Sequence, residues 1–178
     1  SWAMVMLGQY PAIAREVVSR TKAVLGDGIP STEHLAQLPY TANVIKEVLR
    51  LYPPAWIFAR RALEDDVVEG FPIKKNQLVF MSPYGLHRMP QVWPNPLGFD
   101  PDRWNVDDGR RKEGAYVPFS TGQRKCIGDA FALTEAHLIL TTILQRVHLS
   151  LAPGQRFDPD PVLTLRPKEG VFVVAHRL

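Results

Sequence analysis

Apolar side chains recur at helical spacing in three stretches of this chain and in short extended runs elsewhere, which sets its expected organisation. After Gly8-Gln9-Tyr10, Pro11 stands at a favourable first helical position, and Ile13, Val17, Val18, Val24 and Leu25 follow at roughly helical spacing until Gly26-Asp27-Gly28 ends the run. A polar loop around Pro30 to Glu33 precedes a second helix, which enters through Leu38-Pro39-Tyr40 and carries Val44, Ile45, Val48 and Leu49 on its apolar side. The third and most regular helix is expected from Asp129 to Val147, with Ala130, Phe131, Leu133, Leu138, Leu140, Ile143 and Leu144 as its apolar positions. Ser1 to Leu7 reads as the end of a buried helix.

Between Ala55 and Phe80 the pattern changes to short runs broken by turns: Trp56-Ile57-Phe58, Val67-Val68, Gly70 to Ile73 and Leu78 to Phe80. Further strands are expected at Leu149 to Leu151, Val162 to Leu165 and Val171 to Val174, the last two forming a hairpin across Lys168-Glu169-Gly170. Pro90 to Pro101 reads as an irregular loop, and Asp107 to Lys112 as a charged surface turn. The expected fold class is mainly α with small β-sheets (α+β), in a single unit over residues 1–178.

Candidate chemistry centres on Phe119-Ser-Thr-Gly-Gln-Arg-Lys-Cys126-Ile-Gly128, which holds the only cysteine. Cys126 falls where an extended segment meets a helix, and the free N–H groups and dipole of a first helical turn stabilise an anionic sulfur. Gly122 permits a turn with positive φ, and Gly128 lets a flat ligand approach the backbone. Phe119 can pack against the sulfur, and Arg124 offers a cationic fork to a carboxylate. A flat, carboxylate-bearing, iron-containing ligand is haem, with Cys126 as its axial ligand.

This stretch fills every fixed position of F-x-x-G-x-R-x-C-x-G and resembles the haem-binding loop of the cytochromes P-450. Glu47 and Arg50 lie three residues apart on one helical face, and Arg50-Leu-Tyr-Pro-Pro54 follows. They resemble the family's E-x-x-R helix, which implies a buried network with Arg103. Arg103 belongs to Phe99-Asp-Pro-Asp-Arg-Trp104, where Asp102 and Trp104 replace the family's Glu and Phe. Leu86-His-Arg-Met-Pro90 resembles the H-R-D-P turn, with Met89 for Asp and His87 in a hydrogen-bonding role. By family register Arg61 is the second haem propionate partner; Arg60 competes, and strand alternation lets only one of them reach the haem. Ala55, Trp56, Ile57 and Phe58 occupy the segment that passes over the haem and touches substrate, and their bulk implies an apolar one. The long helix after Cys126 should lie beneath the haem.

Composition changes this picture little. The chain has 178 residues, 46% of them hydrophobic, and a net charge of +3 with basic residues scattered among nearly as many acids, so no nucleic-acid-binding stripe is present. One cysteine forms no internal disulfide, the five histidines show no paired metal spacing, so a second metal site is not expected, and no apolar run approaches a membrane span. The resemblance of the opening residues to the tail of the family's long central helix implies a C-terminal fragment of a P-450 domain. It further implies haem b (iron protoporphyrin IX) as cofactor and a monooxygenase that inserts one atom of O2 into a small apolar organic substrate. Its electrons would come from NAD(P)H through a ferredoxin, a flavodoxin-like protein or a flavoprotein reductase, docked near Lys125 and Lys46. The alternatives are a haem-thiolate peroxygenase, dehydratase or isomerase, and a non-catalytic truncated fragment. A bacterial-type cytoplasmic enzyme is expected, with an N-terminal anchor left open.

Overall fold

The computed structural model describes residues 1–106 and 114–177. Its helices are α1 (Trp2–Gln9), α2 (Pro11–Leu25), α3 (Pro39–Leu51), α4 (Pro83–Leu86) and α5 (Asp129–Arg146). Its strands are β1 (Phe58–Arg61), β2 (Asp66–Val68), β3 (Phe71–Ile73), β4 (Leu78–Met81), β5 (Val147–Leu151), β6 (Pro159–Pro161), β7 (Leu165–Pro167) and β8 (Val173–Arg177). The α+β expectation holds. The turn expected at Asp107 to Lys112 lies outside the described residues.

Pro11 and Pro39 begin α2 and α3 because their fixed φ suits a first helical turn, where no N–H is needed. The polar stretch before α3 forms a 3-10 turn over Thr32–Gln37 rather than an open loop. In it His34 Nδ1 accepts the Ser31 N–H at 3.1 Å, closing the cap. Helices α1, α2, α3 and α5 surround one apolar cluster that includes Trp2, Val5, Val17, Val44, Leu140 and Leu144. Trp2 anchors it: its ring stacks on Tyr52 with centroids 3.8 Å apart, and its Nε1 donates to the Leu165 carbonyl at 3.0 Å. Helix α5 is apolar on more than its core side. Leu140 and Leu144 are buried, whereas Phe131 and Ile139 face outward.

Four two-stranded antiparallel sheets flank the helices: β1–β4, β2–β3, β5–β8 and β6–β7. Strand β1 starts at Phe58, two residues later than expected, because the Trp56 carbonyl is taken by the Ser82 hydroxyl at 3.0 Å and the Tyr84 N–H at 3.4 Å. The C-terminal hairpin is also a correction. Val162 to Thr164 is not a strand but the turn between β6 and β7, and its Val162 and Leu163 are exposed. Leu165 is pinned instead by donating its N–H to Pro54 at 2.9 Å and accepting from Trp2. Strand β8 does not pair with that segment; it pairs with β5, from Val147↔Arg177 to Leu151↔Val173. Helix α5 ends at Arg146 and passes straight into β5, one residue before the expected end.

Candidate functional site

Glu47 and Arg50 project from the same face of α3, and both side chains are fully buried. Arg50 donates through Nε to Glu47 Oε2 and through Nη2 to Oε1, each at 2.9 Å. Arg103 Nε reaches Glu47 Oε1 at 2.8 Å, so the two arginines and the glutamate form the network that the sequence resemblance implies. Two further donors complete the carboxylate: the Asp100 N–H to Oε1 and the Trp104 indole N–H to Oε2, both at 3.0 Å. The second of these is available only because Trp104 replaces a phenylalanine. The remaining Arg50 donors meet the carbonyls of His87 (2.8 Å), Pro96 (2.7 Å) and Gly98 (2.9 Å). Every charge is thus paired or hydrogen-bonded, as a buried cluster requires.

His87 carries this network to the cysteine loop. It is fully buried, its Nδ1 lies 3.2 Å from the Arg50 carbonyl, and its Nε2 accepts the Val117 N–H at 2.9 Å. A nitrogen that accepts from a backbone N–H is unprotonated, so Nδ1 holds the proton and donates to Arg50. Burial, reinforced by the charges of Arg50 and Arg88, pushes the imidazole down from 6.5 to about 4, against the opposing hydrogen bond to the Arg50 carbonyl. Tyr116 packs its ring against His87 and Trp104, and its hydroxyl donates to the Lys46 carbonyl at 3.1 Å.

From Val117 the chain turns into the loop. Ser120 N–H donates to the Val117 carbonyl at 3.1 Å, and Cys126 N–H returns to the Phe119 carbonyl at 2.9 Å. Gly122 has φ of 69°, the left-handed region expected of it, while Ser120 adopts φ of 63° without the freedom of glycine. A Cβ added to Gly128 would stand 3.9 Å from Cys126 Sγ, in ordinary contact, so this glycine lies directly beside the sulfur. Cys126 is exposed.

An open groove brings Cys126 together with Phe119, Arg124, Arg60, Ala55 and Phe58. Trp56 and Ile57 are not on its wall. Of the two adjacent arginines on β1, Arg60 faces the groove and donates to Ser120 Oγ at 2.9 Å. Arg61 turns the other way and donates to the Asn76 carbonyl at 3.0 Å, away from Cys126. Of the two arginines that the sequence leaves in competition, Arg60 is the one on the groove wall and Arg61 is not. Lys125 pairs with Asp129, one turn into α5, and Lys46 lies over the Trp104 ring at 5.8 Å. A second groove adjoins Phe119, running among α1, α3 and α5 past Ala3, Ala132 and Ala136.

An E-x-x-R helix tied to a downstream arginine, with a cysteine loop bonded to the same scaffold, defines a cytochrome P450 architecture. The cytochrome P450 family model matches residues 1–174, and the chain belongs to that family. Cyclooctatin synthase of Streptomyces melanosporofaciens is 40% identical over 168 residues, covering 93% of this chain and 36% of that protein. Cytochrome P450 4A10 of Rattus norvegicus is 39% identical over 181 residues, covering 100% of this chain and 35% of its own length. Cyclooctat-9-en-7-ol 5-monooxygenase of Streptomyces melanosporofaciens is 39% identical over 150 residues, 84% of this chain and 33% of that protein. The chain spans about a third of the length of these relatives. Among the described residues no helix is long and apolar enough to cross a membrane.

Two outcomes follow from the network. Arg50→Ala leaves the Glu47 carboxylate buried with one arginine, and should destabilise the full-length protein by about 3 to 5 kcal/mol in urea unfolding, with loss of haem incorporation. His87 is harder to protonate folded than unfolded, so the unfolded state binds the extra proton between pH 6.5 and about 4. Stability should therefore fall by about 3 kcal/mol as pH drops through that window. His87→Gln should flatten this part of the pH–stability profile, measured by denaturant titration.

Proposed function

We propose that this chain is the cysteine-bearing part of a haem-thiolate monooxygenase. The observation that carries the reading is the shared groove: an exposed thiol, two guanidinium groups and an apolar wall converge on one open space. That donor set suits haem b. Cys126 would ligate the iron, Arg124 and Arg60 would meet propionates, and Gly128 would leave room for the ring beside the sulfur. Arg60 replaces Arg61 in this assignment. Haem held by a thiolate supplies O2 activation, because the sulfur donates electron density that favours O–O cleavage.

The residues of this chain bind and orient. The Phe119 carbonyl holds the Cys126 N–H, fixing the loop that presents the sulfur. Phe119 lines the same groove as the thiol and gives it an apolar wall beside the sulfur. Ala55 and Phe58 give the substrate region an apolar wall, which supports a small apolar organic substrate. The monooxygenase named among the relatives supports the same reaction class. Electrons would come from NAD(P)H through a ferredoxin, flavodoxin-like protein or flavoprotein. Lys125 and Lys46 would be the docking charges for such a partner; Lys125 is exposed though paired with Asp129, and Lys46 lies over the Trp104 ring.

The test is the carbon monoxide difference spectrum of the dithionite-reduced full-length protein. A strongly red-shifted Soret band that disappears in Cys126→Ser is expected; haem binding with no such band, or a band that survives the substitution, would overturn the assignment. The two arginines separate in the same preparation. Arg60→Ala should lower haem retention on gel filtration several-fold, whereas Arg61→Ala should leave it near the wild-type level.

A further inference from the structure

The antiparallel β5–β8 sheet holds a pair of histidines outside the haem groove. His148 and His176 are direct partners in the strand register, so their side chains leave the same face of the sheet. Both are exposed, and their ring centroids are 5.9 Å apart with planes inclined by 38°. Along the chain the two are remote, which is why no metal-ligand spacing is visible in the sequence.

An imidazole centroid lies about 3.2 Å from an ion bonded at about 2.1 Å to one of its nitrogens, so two imidazoles on a tetrahedral ion have centroids about 5.2 Å apart. The observed separation of 5.9 Å is close to that value, and both side chains leave one face of the same strand pair. Ser150 stands two residues along β5 on the same face, and its Oγ lies 3.1 Å from His176 Nε2. Metal-bound histidines commonly donate their second ring N–H to an oxygen that fixes the tautomer. Ser150 is placed for that role, leaving His176 Nδ1 to face the ion.

We propose that His148 and His176 form a cross-strand chelate for a borderline divalent transition metal ion of the Zn2+, Ni2+ and Cu2+ group, with Ser150 orienting His176. Imidazole nitrogen suits these ions, whereas a site without carboxylates does not suit Mg2+ or Ca2+. No group of three or more His, Cys, Asp or Glu side chains placed to hold a metal ion is found among the described residues, so water would fill the remaining positions of a two-histidine site. Bound metal ties the C-terminal strand β8 to β5, and through β5 to the end of α5.

Isothermal titration of ZnCl2 into the full-length, haem-loaded protein, with the strand stability read in parallel by thermal melting, tests this. One saturable site is expected, with a rise in melting temperature on adding Zn2+ that EDTA reverses. His148→Ala and His176→Ala should each lower the affinity at least tenfold and abolish the thermal shift, and Ser150→Ala should lower the affinity about tenfold. His34→Ala, on a distant 3-10 turn, should change neither. Both histidines are exposed, so each variant should melt like the wild type in EDTA; this separates lost binding from lost folding. Zn2+ binding that is unchanged in both histidine variants, or that moves only with His34, would overturn the proposal, as would a wild-type affinity no higher than that of the double variant.

Discussion

A carboxylate with no exposure to water must find all of its hydrogen-bond donors in the protein, and Glu47 does so by drawing four separate groups to itself. Only one of them, Arg50, belongs to the same helix. The others come from the short 3-10 turn Pro101–Trp104 and its cap Asp100, so satisfying this one charge packs that turn against α3. Such a cluster is weak evidence for net stability, because desolvation offsets much of the attraction. Its value is geometric. Only one arrangement of that turn leaves no charge unpaired, and that arrangement is selected.

The same demand propagates toward the cysteine. Arg50 uses both its guanidinium and its carbonyl, the latter receiving the His87 ring N–H. His87 in turn accepts from Val117, two residues before Phe119, whose carbonyl holds Cys126. The loop therefore hangs from the helix by a short series of directional bonds. A left-handed Ser120 inside it indicates that the surroundings over-determine its path.

Much of this was legible in the sequence, though unevenly. The resemblance carried by Glu47-x-x-Arg50, by Phe99 to Trp104 and by the filled pattern from Phe119 to Gly128 implied the network and the loop, because such motifs depend on side-chain type at fixed offsets. Prolines marked the starts of α2 and α3 for an equally local reason. Strand phase was less accessible: alternation says that Arg60 and Arg61 diverge but not which one faces inward, since that depends on where β1 begins, and the beginning is set by Ser82 and Tyr84 from another segment. Val162 and Leu163 read as strand because they are apolar and β-branched or bulky, yet they form a turn tip; the pairing of β8 with β5 is a long-range choice that local pattern does not encode. The carbonyl partners of Arg50 and Arg103 were invisible altogether, as every residue has one.

Those carbonyls bear on how the protein can drift over generations. Between them Arg50 and Arg103 recognise the backbone oxygens of His87, Pro94, Asn95, Pro96 and Gly98. A carbonyl is present whatever side chain accompanies it, so the irregular segment can exchange most of its side chains without cost to the scaffold, provided the chain keeps its course. At Gly98 an added Cβ would meet the Asn95 side chain at 2.2 Å, so that flexible side chain would have to turn aside. Change of composition is thus tolerated where change of length is not, and a single inserted residue between Trp93 and Gly98 would do more harm than several substitutions.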